Sequence, residues 1–128
     1  MKIEDDLKVI IAEARKLAIE WKHGFINYDH FFVAMLKNKC IASNYLDHCD
    51  AKDWETKIKQ SYPNNSKLTF KDSLALTTEA ERVIHHSDKI AQHICNNSNT
   101  NTIHVILAIL SYNNVVTESF NKASRYSY

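Results

Sequence analysis

Seven histidines and three cysteines are the side chains of this sequence with the most chemistry in them. His85, His86 and His93 recur along one stretch, with His86 and His93 seven apart and His85 and His93 eight apart. A zinc site carried on a helix uses histidines at i and i+4, as in HExxH, and that motif is absent. His48 beside Cys49, with Cys40 nearby, could add ligands, but no CxxC spacing completes a set. A Cys–His nucleophile needs a third, orienting group, and nothing in the spacing of Cys40, Cys49 or Cys95 marks one. The cysteines read as small buried fillers or plain thiols. The carboxylate pairs Asp5/Asp6 and Glu79/Glu81 fall at helix starts, where they complement the helix dipole rather than share a proton. With one glycine, Gly24, and one proline, Pro63, the chain has no glycine-rich loop to cradle a phosphate. The expectation is no enzyme, no bound metal and no cofactor.

The elements that carry these residues must be helical. The chain has 128 residues, 45% of them hydrophobic and 24% charged, which is the size and composition of one globular domain. So few breakers argue against a sandwich or barrel with many tight turns. The net charge of +1, with no basic block, gives no footprint for nucleic acid. The longest mostly apolar run, Ile103 to Leu110, is far short of the ~20 residues that span a bilayer. No signal core precedes the first helix, so a cytoplasmic monomer with neither nucleic acid nor membrane as partner is expected.

Apolar residues at Ile3, Leu7, Ile10, Ile11, Ala14, Leu17, Ala18 and Trp21 trace one stripe, predicting a helix over 3–22 that stops at Gly24. Asn27 caps a second helix over 28–38, apolar on all sides through Phe31 to Leu36 and therefore central. Shorter helices are predicted at 41–48 and 51–61, the latter with Trp54 and Ile58 on one face. Tyr62-Pro63-Asn64-Asn65-Ser66 then breaks the pattern. It restarts at Thr77 or Thr78, where Thr78 with Glu81 makes a capping box, and carries Ala80, Val83, Ile84, Ile90, Ala91 and Ile94. An asparagine-rich loop, a second all-apolar helix over 102–112 and a short helix at 115–120 complete the chain. The aromatics Phe25, Phe31 and Phe32, with Tyr45, Trp54 and Tyr62 near the join, fit core or the wall of a groove.

The halves repeat one plan. At an offset of 73, Leu7, Ile10, Ile11, Lys16, Leu17, Ala18 and Trp21 meet Ala80, Val83, Ile84, Lys89, Ile90, Ala91 and Ile94. At 74, Asn27, His30, Ala34 and Leu36 meet Asn101, His104, Ala108 and Leu110. The fold class is therefore all-α: about eight helices in two four-helix repeats related by a pseudo-twofold. Repeat one is placed at 3–62, a linker at 63–75, repeat two at 76–122 and a tail at 123–128. His30 and His104, at equivalent places, are either polar contacts near the dyad or imidazoles that bond backbone at a helix start. Duplication favours the second reading.

The carrying segments are Ile10–Ala18 and Phe25–Leu36 in the first copy, and Leu76–Ile84, Ile90-Ala91 and His104–Leu110 in the second. Together they resemble the Clp N-terminal repeat, which precedes the ATPase modules of Clp unfoldases and disaggregases. The resemblance covers roughly residues 3–120. Its family-motif positions are Asp29-His30 and Ile103-His104, where relatives carry Glu-His. In relatives that read phosphorylated arginine, two glutamates act with a threonine at the start of each long helix. Here Asp29 and Ile103 replace the glutamates, Thr78 fits the second threonine and Glu4 stands in the first. A guanidinium needs both carboxylates, so the resemblance implies a docking module rather than a phosphoarginine reader. Its implied partner is a protein or peptide: a Clp ATPase, an adaptor, a substrate segment or a helix of the type VI secretion sheath. The candidate groove is Ile3, Leu7, Lys8 and Ile10 on the first helix with Leu76, Thr78, Glu79 and Arg82 at the second copy's entrance. A free-standing regulator that docks on a Clp hexamer, or competes for its adaptors, is the alternative; a small hydrolase or metal protein is the third.

Overall fold

The apolar stripe of the first segment folds as α1 (Asp5–Glu20), which buries Leu7, Ile10, Ala14, Leu17, Ala18 and Ile19. The computed structural model describes residues 3–65, 67, 74–94 and 99–126. Residue 66 and residues 68–73 of the expected linker, Cys95, residues 96–98 of the asparagine loop and residues 127–128 of the tail lie outside the described residues. α2 (Tyr28–Lys37) packs on α1. A 3₁₀ segment (Ile41–Tyr45) and α3 (Ala51–Lys59) complete the first half. In the second half, α4 (Thr78–Lys89) runs into a π turn (Ile90–Ile94), followed by α5 (Thr102–Leu110) and α6 (Val115–Tyr126). The described residues thus hold six α-helices, with a 3₁₀ and a π segment, in place of eight helices. The segment expected at 41–48 is a 3₁₀ turn, and the last helix runs past residue 120 to Tyr126.

Two backbone bridges relate the halves. Ile3 pairs with Thr100, and Ile26 pairs with Leu76. The Glu4 N–H donates to the Thr100 carbonyl at 2.8 Å, and the Thr77 N–H donates to the Ile26 carbonyl at 3.0 Å. Positions 4 and 77 differ by the offset of the long helices, and 26 and 100 by that of the short ones. The start of each copy therefore binds the loop of the other, as across a twofold axis. α2 and α5 lie at the centre. Phe31, Phe32, Val33 and Ala34, and Val105, Ala108 and Ile109, are buried.

Three local readings change. Gly24 does not end α1, since its backbone has no positive φ. The left-handed residue is Lys22, at φ 61°. The His23 N–H reaches the Ala18 carbonyl at 2.8 Å and the Lys22 N–H reaches that of Ile19 at 3.0 Å, the two bonds of a Schellman cap. Thr77 rather than Thr78 caps α4, its hydroxyl accepting from the Ala80 N–H at 3.0 Å. The Trp21–Ile94 equivalence also fails in burial. The wider π turn rotates the stripe, and Ile94 is 74% exposed.

Candidate functional site

Both motif histidines bond backbone at a helix start. The Asn27 N–H donates to His30 Nδ1 at 2.9 Å, and the Asn101 N–H to His104 Nδ1 at 3.0 Å. Each asparagine side chain returns a cap to the first turn of its helix, so each Asn-x-x-His is a closed box. In the first copy the box continues. His30 Nδ1 is an acceptor, so the ring carries its proton on Nε2, 2.8 Å from His23 Nδ1. His23 in turn donates from Nε2 to the Lys59 carbonyl at 3.1 Å. One wire of fixed tautomers thus ties the end of α1, the start of α2 and the end of α3. Burial holds His30 at about 3 and lowers His23, so both rings are neutral.

Beside the wire, Tyr62 donates to Asp29 Oδ2 and accepts from Asn27 Nδ2 at 3.2 Å. The Thr77 hydroxyl donates to Asn27 Oδ1 at 2.6 Å, which carries the network into the second copy. Burial pushes Asp29 up to about 6 and raises Tyr62 well above the usual phenol range. Asp29 Oδ1 lies 3.5 Å from His30 Nδ1, but that nitrogen already accepts a bond, so no ion pair forms. Asp6 differs from the expectation of an exposed dipole partner. It accepts from the Thr102 hydroxyl at 2.8 Å and from the Ile41 N–H at 3.1 Å, joining α1, the 3₁₀ segment and α5. These networks brace the repeats.

The residues expected to form a groove separate. Leu7 and Ile10 are fully buried and hold α1 to the core. Ile3 and Leu76 are half-buried at the two bridges, on opposite sides of the dyad. Lys8, Thr78, Glu79 and Arg82 are exposed. Glu79 and Arg82 do share a shallow recess of about 250 Å³ with Tyr28 and Tyr112. Ile103 faces elsewhere, and His104 and Asp29 are inside. Among the described residues no three His, Cys, Asp or Glu side chains converge, and His85 and His93 point to solvent. No helix among them is long and apolar enough to cross a membrane.

A larger apolar groove of about 380 Å³ lies away from the expected groove residues and takes in Ile103, a motif position, and Tyr45, one of the aromatics expected in core or a groove wall. Ile103, Ile106, Leu107 and Leu110 of α5 form its floor, with Tyr45 and Phe120 as walls. α5 is therefore not buried all round. Leu107 is 45% exposed and Tyr45 64%. Leu107 gave no sequence signal, because a helix apolar on every face does not reveal which face lacks a neighbour.

A model of the Clp repeat (R) N-terminal domain matches residues 2–123. No curated protein sequence matches significantly. Solved structures share the fold at low identity. A chain from a malarial protein secretion system superimposes with a TM-score of 0.80 at 15% identity, covering 95% of this chain and 84% of that one. The N-domain of ClpV from Vibrio cholerae gives 0.76 at 16%, covering 94% and 76%. The Hsp104 N-terminal domain from Candida albicans gives 0.71 at 20%, covering 86% and 74%. With its two crossed halves and a family match over nearly its whole length, the chain belongs to the Clp repeat N-terminal domain family.

Proposed function

We propose that this chain is a non-catalytic docking module that binds a protein segment on behalf of a Clp-type ATPase in the cytoplasm. The family match over residues 2–123 carries the reading. The two motif histidines support it, because each accepts from the backbone at the start of its helix. The partner is an adaptor, a substrate segment or a sheath-derived helix. Lys8, Thr78, Glu79 and Arg82 supply a polar rim that sets register, while apolar burial supplies affinity.

The test has two arms. Purified chain should show no ATP turnover once contaminants are removed; persistent turnover would defeat the reading. Immobilised chain, given a purified Clp-type hexamer, its adaptors and its clients from the same organism, should retain one of them in a fixed ratio. Retention of nucleic acid alone would count against it.

A further inference from the structure

The polar recess beside α4 has a filled counterpart in the other half of the molecule. At the offset of 73, Glu79 and Arg82 correspond to Asp6 and Val9. At 74, Tyr28 corresponds to Thr102, and the turn at 112–115 to residues 38–41. In the counterpart a carboxylate closes the seat. Asp6 Oδ2 accepts from the Thr102 hydroxyl at 2.8 Å and from the Ile41 N–H at 3.1 Å. In the recess the same place is open. Glu79 is exposed and accepts no hydrogen bond from the described residues, and about 250 Å³ stands between α4, Tyr28 and Tyr112. That is below the ~300–1,000 Å³ of small-molecule pockets and fits a single side chain.

Donors line the recess. Among the described residues, the Arg82 guanidinium, the Asn113 amide and the Tyr28 and Tyr112 hydroxyls have no hydrogen-bond partner. Burial and the nearby Asp29 and Glu79 carboxylates raise Tyr28 above the usual phenol value, so its hydroxyl keeps a proton to donate. Glu79 and Arg82 stand three apart on α4 without forming an ion pair. A guanidinium ringed by neutral donors calls for a carboxylate. The carboxylates near Tyr28 repel a bare anion, and a cation brought beside it to Glu79 offsets that repulsion.

We propose that this recess seats an acidic side chain of a partner protein, aspartate or glutamate, that has a lysine or arginine next to it in sequence. The acid takes the place that Asp6 takes in the counterpart and is held by Arg82 and the phenol hydroxyls. The neighbouring base pairs with Glu79 at the rim. The inference rests on the docking reading above and names the partner's chemistry at that polar rim.

The probe is the peptide acetyl-Gly-Ser-Glu-Lys-Ser-Gly-amide, titrated at low salt into the isotope-labelled 128-residue chain and read by amide chemical shifts. Saturable binding at one site is expected, with a dissociation constant on the order of 1 mM and the shifts gathered on Tyr28, Glu79, Arg82 and 112–115. Replacing the probe's glutamate by glutamine, or Arg82→Gln in the chain, should weaken binding about fivefold or more, with the circular dichroism of the chain unchanged. Replacing the probe's lysine by glutamine should weaken it about twofold or more in the unaltered chain and not at all in Glu79→Gln. No saturation below about 10 mM, equal binding of the glutamine probe, or shifts gathered elsewhere would overturn the inference. So would a lysine advantage that survives Glu79→Gln. Self-association of the chain that Arg82→Gln abolishes would overturn it too, since a second copy would then be the occupant. The docking reading is tested apart from this: if the chain retains a Clp hexamer, adaptor or client while the probe fails, only the recess assignment falls.

Discussion

His23 Nδ1 and His30 Nε2 lie 2.8 Å apart, and neither ring has any surface in contact with solvent. The backbone N–H of Asn27 fixes the proton on one ring, and the Lys59 carbonyl fixes it on the other. Neither ring can take a second proton without breaking a bond in the wire. Below about pH 6 a buried imidazolium would also lack a counter-charge, because Asp29 then keeps its proton.

Stability should therefore fall as pH drops below about 6.5, the ordinary histidine value. The unfolded chain takes up protons that the folded rings refuse. For His30, held at about 3, the loss at pH 5.5 is about 1.4 kcal/mol, and His23 adds a loss of the same sign. Asp29 opposes this. Folded, it keeps its proton up to about 6, so its contribution favours the fold at low pH and is lost as pH rises through 6. At pH 5.5 it restores about 0.8 kcal/mol, less than the histidines remove. Urea denaturation at pH 7.5, 6.5 and 5.5 should show the decline, and Asp29→Asn should steepen it. Midpoints independent of pH across that range would contradict the neutral wire.

Lys22 stands in a left-handed conformation that costs a residue with a Cβ about 1 kcal/mol. Lys22→Gly should raise stability by about that amount, read as a higher urea midpoint with an unchanged slope. Gly24→Ala should be close to neutral, since no neighbouring heavy atom lies within 4 Å of the added carbon. The reverse ranking would place the helix stop at Gly24.

Ala34 and Ala108 are fully buried at equivalent points of the two central helices. Replacing either with leucine should overpack the core by about 1–3 kcal/mol. Leu107→Ala on the outer face of α5 should change stability far less. Thermal melts of the three variants decide it, and an unperturbed melt for both alanine positions would refute the central placement of α2 and α5.

Tyr62→Phe removes the donor to Asp29 Oδ2 and the acceptor for Asn27 Nδ2. The buried carboxyl is left with fewer partners, so the fold should lose about 1–3 kcal/mol. A double-mutant cycle with Asp29→Asn should give a coupling well above zero. Additive losses would show that the two residues act independently.

The tandem plan was legible because duplication writes the same stripe twice: Leu7, Ile10 and Ala14 in one copy, Ala80 and Val83 in the other, are all core. The cap at Asn27 was legible too, since a cap acts within its own turn, and Asn101, its equivalent in the repeat, caps α5 in the same way. What escaped depends on distant contacts. His23 owes its role to a carbonyl 36 residues away, and Asp6 to a hydroxyl 96 residues away. Lys22 escaped because glycine is the residue expected to be left-handed. Residue type at Leu107 is the same whether a helix covers it or not.

The bridges at Ile3–Thr100 and Ile26–Leu76 tie the start of each half to the other. Severed from its sibling, either one would present a bare backbone edge whose natural complement is another molecule of the same design. Duplication lets each half change independently, and the equivalent positions Val33 and Leu107, one buried and one exposed, display that freedom.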